Sequence, residues 1–149
     1  MPRIGLVVAF FLLLSGCASH SALTIQPHSQ LAIEVPSDMF SSIKVRDGEL
    51  LFLTNNQIIG FVKSDEIPKA VRSEKAADTA LTLFESVSEG SQKPSWIDHV
   101  PEAQVFGVVQ GDFRTIFIVP NGSEQFLVTF QGPSESSRAI RINGAKVFN

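Results

Sequence analysis

The sequence predicts an α+β domain: an antiparallel β-sheet of about six to seven strands, covered by one main helix over about residues 73–88. Two observations predict it. Short runs with the two-residue period of strands, separated by turn dipeptides, fill residues 31–63 and recur over 104–131. Between them the apolar residues change to three- and four-residue steps, the period of a helix with one buried stripe. A chain of 149 residues has room for one such domain around one core.

The N-terminus stands apart from this pattern. Arg3 and the amino group give a positive end, and Ile4 to Leu14 is an apolar run closed by the small residues Ser15 and Gly16. The run is about half the ~20 apolar residues of a membrane span, and it has the layout of a secretory leader. A buried N-terminal helix with a core cysteine is the competing reading, and so unbroken an apolar run argues against it. Leu14-Ser15-Gly16-Cys17 ends the run with the only cysteine in the chain. This tetrapeptide resembles a bacterial lipobox, which implies cleavage between Gly16 and Cys17 and a diacylglyceryl thioether on Cys17. The chemistry suits a thiol, the strongest nucleophile among the candidate side chains. The resemblance implies a membrane partner through the lipid anchor. Ala18, where an Asp would retain a lipoprotein at the inner membrane, implies transport to the outer membrane, facing the periplasm.

Residues 1–16 are then leader, 17–30 a lipidated cysteine with a flexible tether, and 31–149 the domain. Arg3 is the one charged side chain before Cys17, so 11 of the 12 basic residues and all 15 acidic ones lie beyond it. A net acidic surface argues against a nucleic-acid partner. With the sole thiol consumed, no internal disulfide forms, and the fold rests on its core. Ten of the twelve Phe lie beyond the leader and there is no Tyr, which suggests a dry, aromatic-rich core. His20 and His28 sit among Ser and Pro in the tether, where a solvated linker is a better reading than a metal site.

The elements follow in order. Leu31 to Val35 alternates as a half-buried strand stopped at Pro36, and Ser37 to Phe40 reads as a turn. Ser42 to Arg46, Glu49 to Thr54 and Gln57 to Lys63 read as three strands joined at Asp47-Gly48 and Asn55-Asn56. Ile58-Ile59 and Phe61-Val62 are apolar on both faces, so something should cover this sheet. Ser73 is placed to cap the covering helix, with the stripe Ala77, Ala80, Leu81, Phe84 and Val87, and Gly90 to end it. Ser91 to Glu102 reads as a loop. Gln104–Gln110, Phe113–Val119 and Gln125–Gln131 form a meander. Ser134 to Asn143 reads as a short C-terminal helix, with Ile140 and Ile142, two apart, marking a short strand as the alternative.

Leu31 to Met39 is a strand ending in proline and then a turn, followed by strands, a helix, a meander and a closing element. This order resembles DcrB-like lipoproteins of the PsbP-like fold. The resemblance implies an antiparallel sheet flanked by helices, with accessory or binding roles. It transfers no catalytic residue.

Chemistry-bearing patterns are few. Trp96, Asp98 and His99 share the predicted loop; plain packing of Trp96 with solvated neighbours is the leading reading, and a contact loop of the three or acid–base work at His99 are the alternatives. No nucleophile elbow, zinc, P-loop or dinucleotide signature occurs. Glu34, Asp38, Asp47 and Glu49 lack the spacing of a calcium loop. The expectation is therefore no metal, no cofactor and no catalytic residue: a lipid-anchored envelope protein that binds another envelope protein or aids assembly. A small envelope hydrolase and an inhibitor of a hydrolase are the alternatives.

Overall fold

The computed structural model describes residues 22–73, 75–87, 96–122 and 125–148. Strand β1 (Ala22–His28) turns at Ser29-Gln30 into β2 (Leu31–Pro36), pairing Ile25 with Ile33 and Leu23 with Val35. After a 3-10 turn at Ser37–Met39 come β3 (Ser42–Arg46), β4 (Glu49–Thr54) and β5 (Gln57–Glu66). Both connecting dipeptides take the left-handed backbone of tight hairpins: Asp47 and Gly48 at φ 50° and 79°, Asn55 and Asn56 at 52° and 62°. Helix α1 (Ala76–Val87) follows, then β6 (Trp96–Val100), β7 (Ala103–Gln110), β8 (Phe113–Pro120) and β9 (Phe126–Pro133). A 3-10 turn at Ser136–Ala139 leads to β10 (Arg141–Ile142) and β11 (Ala145–Lys146).

The fold is mostly β, in two antiparallel sheets. One runs β1-β2-β10-β11, the other β3-β4-β5-β9-β8-β7-β6. Their inner faces pack together. Ile33, Val35 and Ile142 come from the smaller sheet; Phe52, Val105, Ile116, Ile118, Val128 and Phe130 come from the larger, and all are buried. Alternation decides which side chains enter: along β2, Leu31, Ile33 and Val35 are buried while Ala32, Glu34 and Pro36 are half-exposed. Phe40, Phe52 and Phe130 form a chain of tilted rings with centroids 5.1 and 6.1 Å apart.

This arrangement overturns the predicted α+β class, the sheet covered by one main helix, and the helix-flanked sheet implied by the family resemblance. The cover is a second sheet. Its first strand comes from the supposed tether: within residues 17–30, Ala22–His28 pair with β2, and Ile25 is buried. Leu23 and Ile25 supply the period of two. With only two apolar positions among polar neighbours, that period is weak until β2 supplies hydrogen-bond partners. The rest of the cover comes from the C-terminus. The expected C-terminal helix is a single 3-10 turn, and Ile140 and Ile142 are buried in the sheet core. Asn143-Gly144, at φ 50° and 77°, makes the hairpin between β10 and β11.

The segment predicted as the main helix forms α1, which starts at Ala76 and is a side element on the outer face of the larger sheet. Its described side chains depart from the expected stripe at Leu81. Thr79 and Leu83 are buried, whereas Leu81 is exposed. Thr79 turns inward because its hydroxyl is satisfied locally: it accepts from the Ser73 N–H at 2.8 Å and donates to the Ser73 carbonyl at 3.3 Å. Among the described residues no helix is long and apolar enough to cross a membrane.

One side chain joins three separate segments. Asn143 accepts at Oδ1 from the Ala32 N–H at 2.9 Å, and its Nδ2 donates to the carbonyls of Gln30, at 3.0 Å, and Pro101. It thus ties the β1–β2 turn, the β10–β11 hairpin and the turn before β7 to one point. Each such bond nets roughly 1 kcal/mol, and the left-handed backbone tolerates Asn far better than Ala. Asn143→Ala is expected to lower unfolding free energy by about 2–3 kcal/mol. Asn143→Gly keeps the backbone conformation and isolates the side-chain bonds. Urea unfolding of both variants measures this; an Ala variant as stable as the parent would refute it.

Candidate functional site

The larger sheet has an outer face that the smaller sheet does not reach. Alternation places Phe61, Lys63 and Asp65 of β5 there, with Leu127 and Thr129 of β9, Thr115 and Phe117 of β8, and Phe106 and Val108 of β7. Register aligns them in rows across the strands: Phe61 with Gln131, Lys63 with Thr129, Phe117 with Thr129 and Phe106. One end is closed by α1. There Leu83 joins Ile67, Phe106, Val119 and Leu127 in a second, smaller core, with Phe117 packed against it.

Beyond that closed end, among the described residues, the face is open as a groove of about 440 Å³. Phe61, Val108, Phe117 and Leu127 line it, with Leu83 and Ile67 where α1 closes it. Lys63 stands at its edge, 3.4 Å from Asp65 Oδ2 and 5.8 Å from the Phe61 ring centroid. The wall toward α1 is fixed by Arg72, which donates from Nε to the Ile67 carbonyl at 2.7 Å and from Nη2 to Glu66 Oε1 at 2.6 Å. Gln131 Nε2 donates to Thr115 Oγ1 at 3.1 Å, so polar floor atoms are engaged with each other. Such a surface offers desolvation of apolar area, worth roughly 25 cal/mol per Å² buried, with one cation for orientation.

The outer face of the smaller sheet carries a different concavity, a cleft of about 620 Å³. Glu34, Asp38 and Glu135 line it together with Arg138, Arg141 and Lys146. Arg141 lies directly across from Glu34 on one side and Lys146 on the other. Phe148 closes one end and stacks on the Arg114 guanidinium, 4.1 Å from its ring centroid. Burial, and then the neighbouring charge of Arg138, push the Arg114 pKa below its ordinary value, while Glu135 opposes them. Ala22, where β1 begins, is at the edge of this cleft.

The residues singled out in the sequence fall elsewhere. Gly16, Cys17 and His20 lie outside the described residues. Trp96, Asp98 and His99 are not in a loop. They belong to β6, an edge strand whose register pairs Trp96 with Gly107 and His99 with Gln104. The strand was obscured because Trp96-Ile97-Asp98-His99-Val100 does not alternate apolar with polar and follows a polar, Ser- and Pro-containing stretch. His28 ends β1; its Nδ1 accepts from the Gln30 N–H at 3.2 Å and its ring is 5.4 Å from that of Phe126. The four acidic residues weighed for calcium separate: Glu34 and Asp38 line the charged cleft, Asp47 is in a hairpin turn and Glu49 begins β4. Among the described residues no three His, Cys, Asp or Glu side chains gather as a metal set.

The groove residues were not foreseen as a site. Their signal was present, since β5 is apolar on both faces, but it pointed only to a cover. That α1 covers one end and leaves the rest open is decided by its length and placement. The chain matches no protein-family model, and no match is found among curated proteins or solved structures.

Proposed function

We propose that the chain is a lipid-anchored, non-catalytic binding module of the bacterial envelope. Cys17 holds it to the outer membrane on the periplasmic side, and the open groove takes an apolar segment of another envelope protein. The observation that carries the binding reading is the apolar floor of Phe61, Val108 and Phe117 beside α1, which no other described residue covers. A concave site lined by apolar side chains with a few polar groups at its edge is the usual form of a binding site. The lipobox-like Leu14-Ser15-Gly16-Cys17 supports the anchor.

Two measurements test the two halves. Cys17→Ala is expected to move the protein from the membrane fraction to the soluble fraction with its far-UV circular dichroism unchanged. A variant that stays bound after an alkaline wash would refute the anchor. For the groove, a photo-crosslinking residue at Val108, compared in intact cells with one at Val45 on the exposed edge strand β3, is expected to trap one discrete envelope protein at 108 only. Identical profiles at both positions would refute the binding reading.

A further inference from the structure

We infer that the outer face of the smaller sheet, beside Ala22, lies on the bilayer and that its charged cleft takes zwitterionic phospholipid headgroups. This rests on lipidation of Cys17 as proposed above. Strand β1 shortens the leash. With Ala22 already paired to Pro36, only the steps from Cys17 to Ala22 remain between lipid and domain. Fully extended, they span at most about 18 Å. A domain of this size has a radius of gyration of about 14 Å and hence a diameter near twice that leash. The two outer faces of a two-sheet stack are opposite each other. To turn the groove and α1 toward the bilayer, the leash would have to run halfway round the domain, which it is too short to do. The face that Ala22 borders is within its reach.

The charges of that face identify the lipid class. Three cations, Arg138, Arg141 and Lys146, share the cleft with three carboxylates, Glu34, Asp38 and Glu135. A headgroup with a phosphate and an ammonium offers both signs in return. A purely anionic headgroup would meet only half of the cleft, on a chain that keeps 15 acidic against 11 basic residues once the leader is removed. Phe148 and Ala139 provide apolar contact at the cleft. The groove then points away from the membrane, toward partners in the periplasm.

The test uses the whole chain, produced in a bacterium that processes lipoproteins and reconstituted in phosphatidylethanolamine vesicles. Acylation of Cys17 leaves introduced cysteines as the only labelling sites. A fluorophore on Ala139→Cys, beside the cleft, is compared with one on Leu81→Cys, on α1, using a nitroxide quencher carried by lipid headgroups. Several-fold stronger quenching at 139 is expected, and Arg138→Glu with Lys146→Glu should reduce it without changing quenching at 81. Equal quenching at 139 and 81, on a chain whose N-terminal peptide carries the acyl mass, overturns this inference and leaves the anchor standing. An N-terminal peptide without that mass overturns the anchor and this inference with it. Unchanged quenching at 139 in the charge-reversed variant, or stronger quenching there on phosphatidylglycerol vesicles, overturns the headgroup assignment.

Discussion

Gly60→Ala is expected to prevent stable folding, with a loss of more than about 3 kcal/mol. The residue lies on β5 opposite Phe52 of β4, where the register slips and Ile59 is the extra residue. That slip brings the Gly60 backbone hard against β9. A methyl group there would overlap the Gln131 carbonyl oxygen and stand 3.1 Å from the Gly132 Cα, and both are backbone atoms of a central strand. No rotamer relieves such a clash, so relief requires parting β5 from β9, the pair that joins the two halves of the larger sheet. Gly132→Ala is the informative control. Its Cβ would meet side-chain atoms, Phe130 Cζ at 3.1 Å and Met39 Sδ at 3.3 Å, which can shift. Circular dichroism and urea unfolding of the two variants distinguish them. A folded Gly60→Ala protein with parental stability would show that the β4–β5 irregularity does not need glycine.

Phe130→Ala is expected to cost about 3–5 kcal/mol, the range for emptying a fully buried aromatic site. Phe130 has no exposed surface and meets Phe52 ring to ring; Phe52 in turn meets Phe40. Collapse of the cavity is limited because Phe52 and Phe130 belong to different strands of one sheet, whose spacing is set by the hydrogen bonds of the strand between them. Phe130→Leu, which keeps most of the volume, should lose about 1–1.5 kcal/mol. The measurement is the urea midpoint at constant slope. Equal losses for Leu and Ala would mean that ring contacts, rather than filled volume, carry the stabilisation.

Several local features were legible in the sequence. The two hairpins of residues 42–63 appear where Asp47-Gly48 and Asn55-Asn56 place them, and β7 joins β8 at the break read between Gln110 and Phe113. On β8, Ile116 and Ile118 are buried in the inter-sheet core, opposite Thr115 and Phe117 on the outer face, as alternation required. These follow from two short-range rules, the period of two and the left-handed tolerance of Asn, Asp and Gly. The same rules, applied to Asn143-Gly144 between Ile142 and Ala145, would have favoured a hairpin over a helix at the C-terminus. The serine cluster at 134–137 suggested a helix cap instead, but the segment makes only one 3-10 turn, and no side chain caps it.

The candidate sites were hardly legible at all. The groove depends on Phe61, Val108 and Phe117 coming from three strands, and its boundary depends on where α1 lies. The charged cleft joins Glu34 to Arg141 and Lys146, residues more than a hundred positions away. No periodicity connects such positions, because β2 and β10 become neighbours only when both sheets close on the core.

By itself, the sequence determined seven of the strands, β2–β5 and β7–β9, with most of their turns and buried sides, since backbone sterics and alternation act within a few residues. Which layer covers the sheet was decided only by tertiary structure. The β1–β2 hairpin and the C-terminal segment each carry too little apolar surface to stand alone, and they become a sheet only by burying Ile25, Ile33, Ile140 and Ile142 against the larger one. That closure places the charged cleft at the chain's entry point and leaves the groove open on the opposite face.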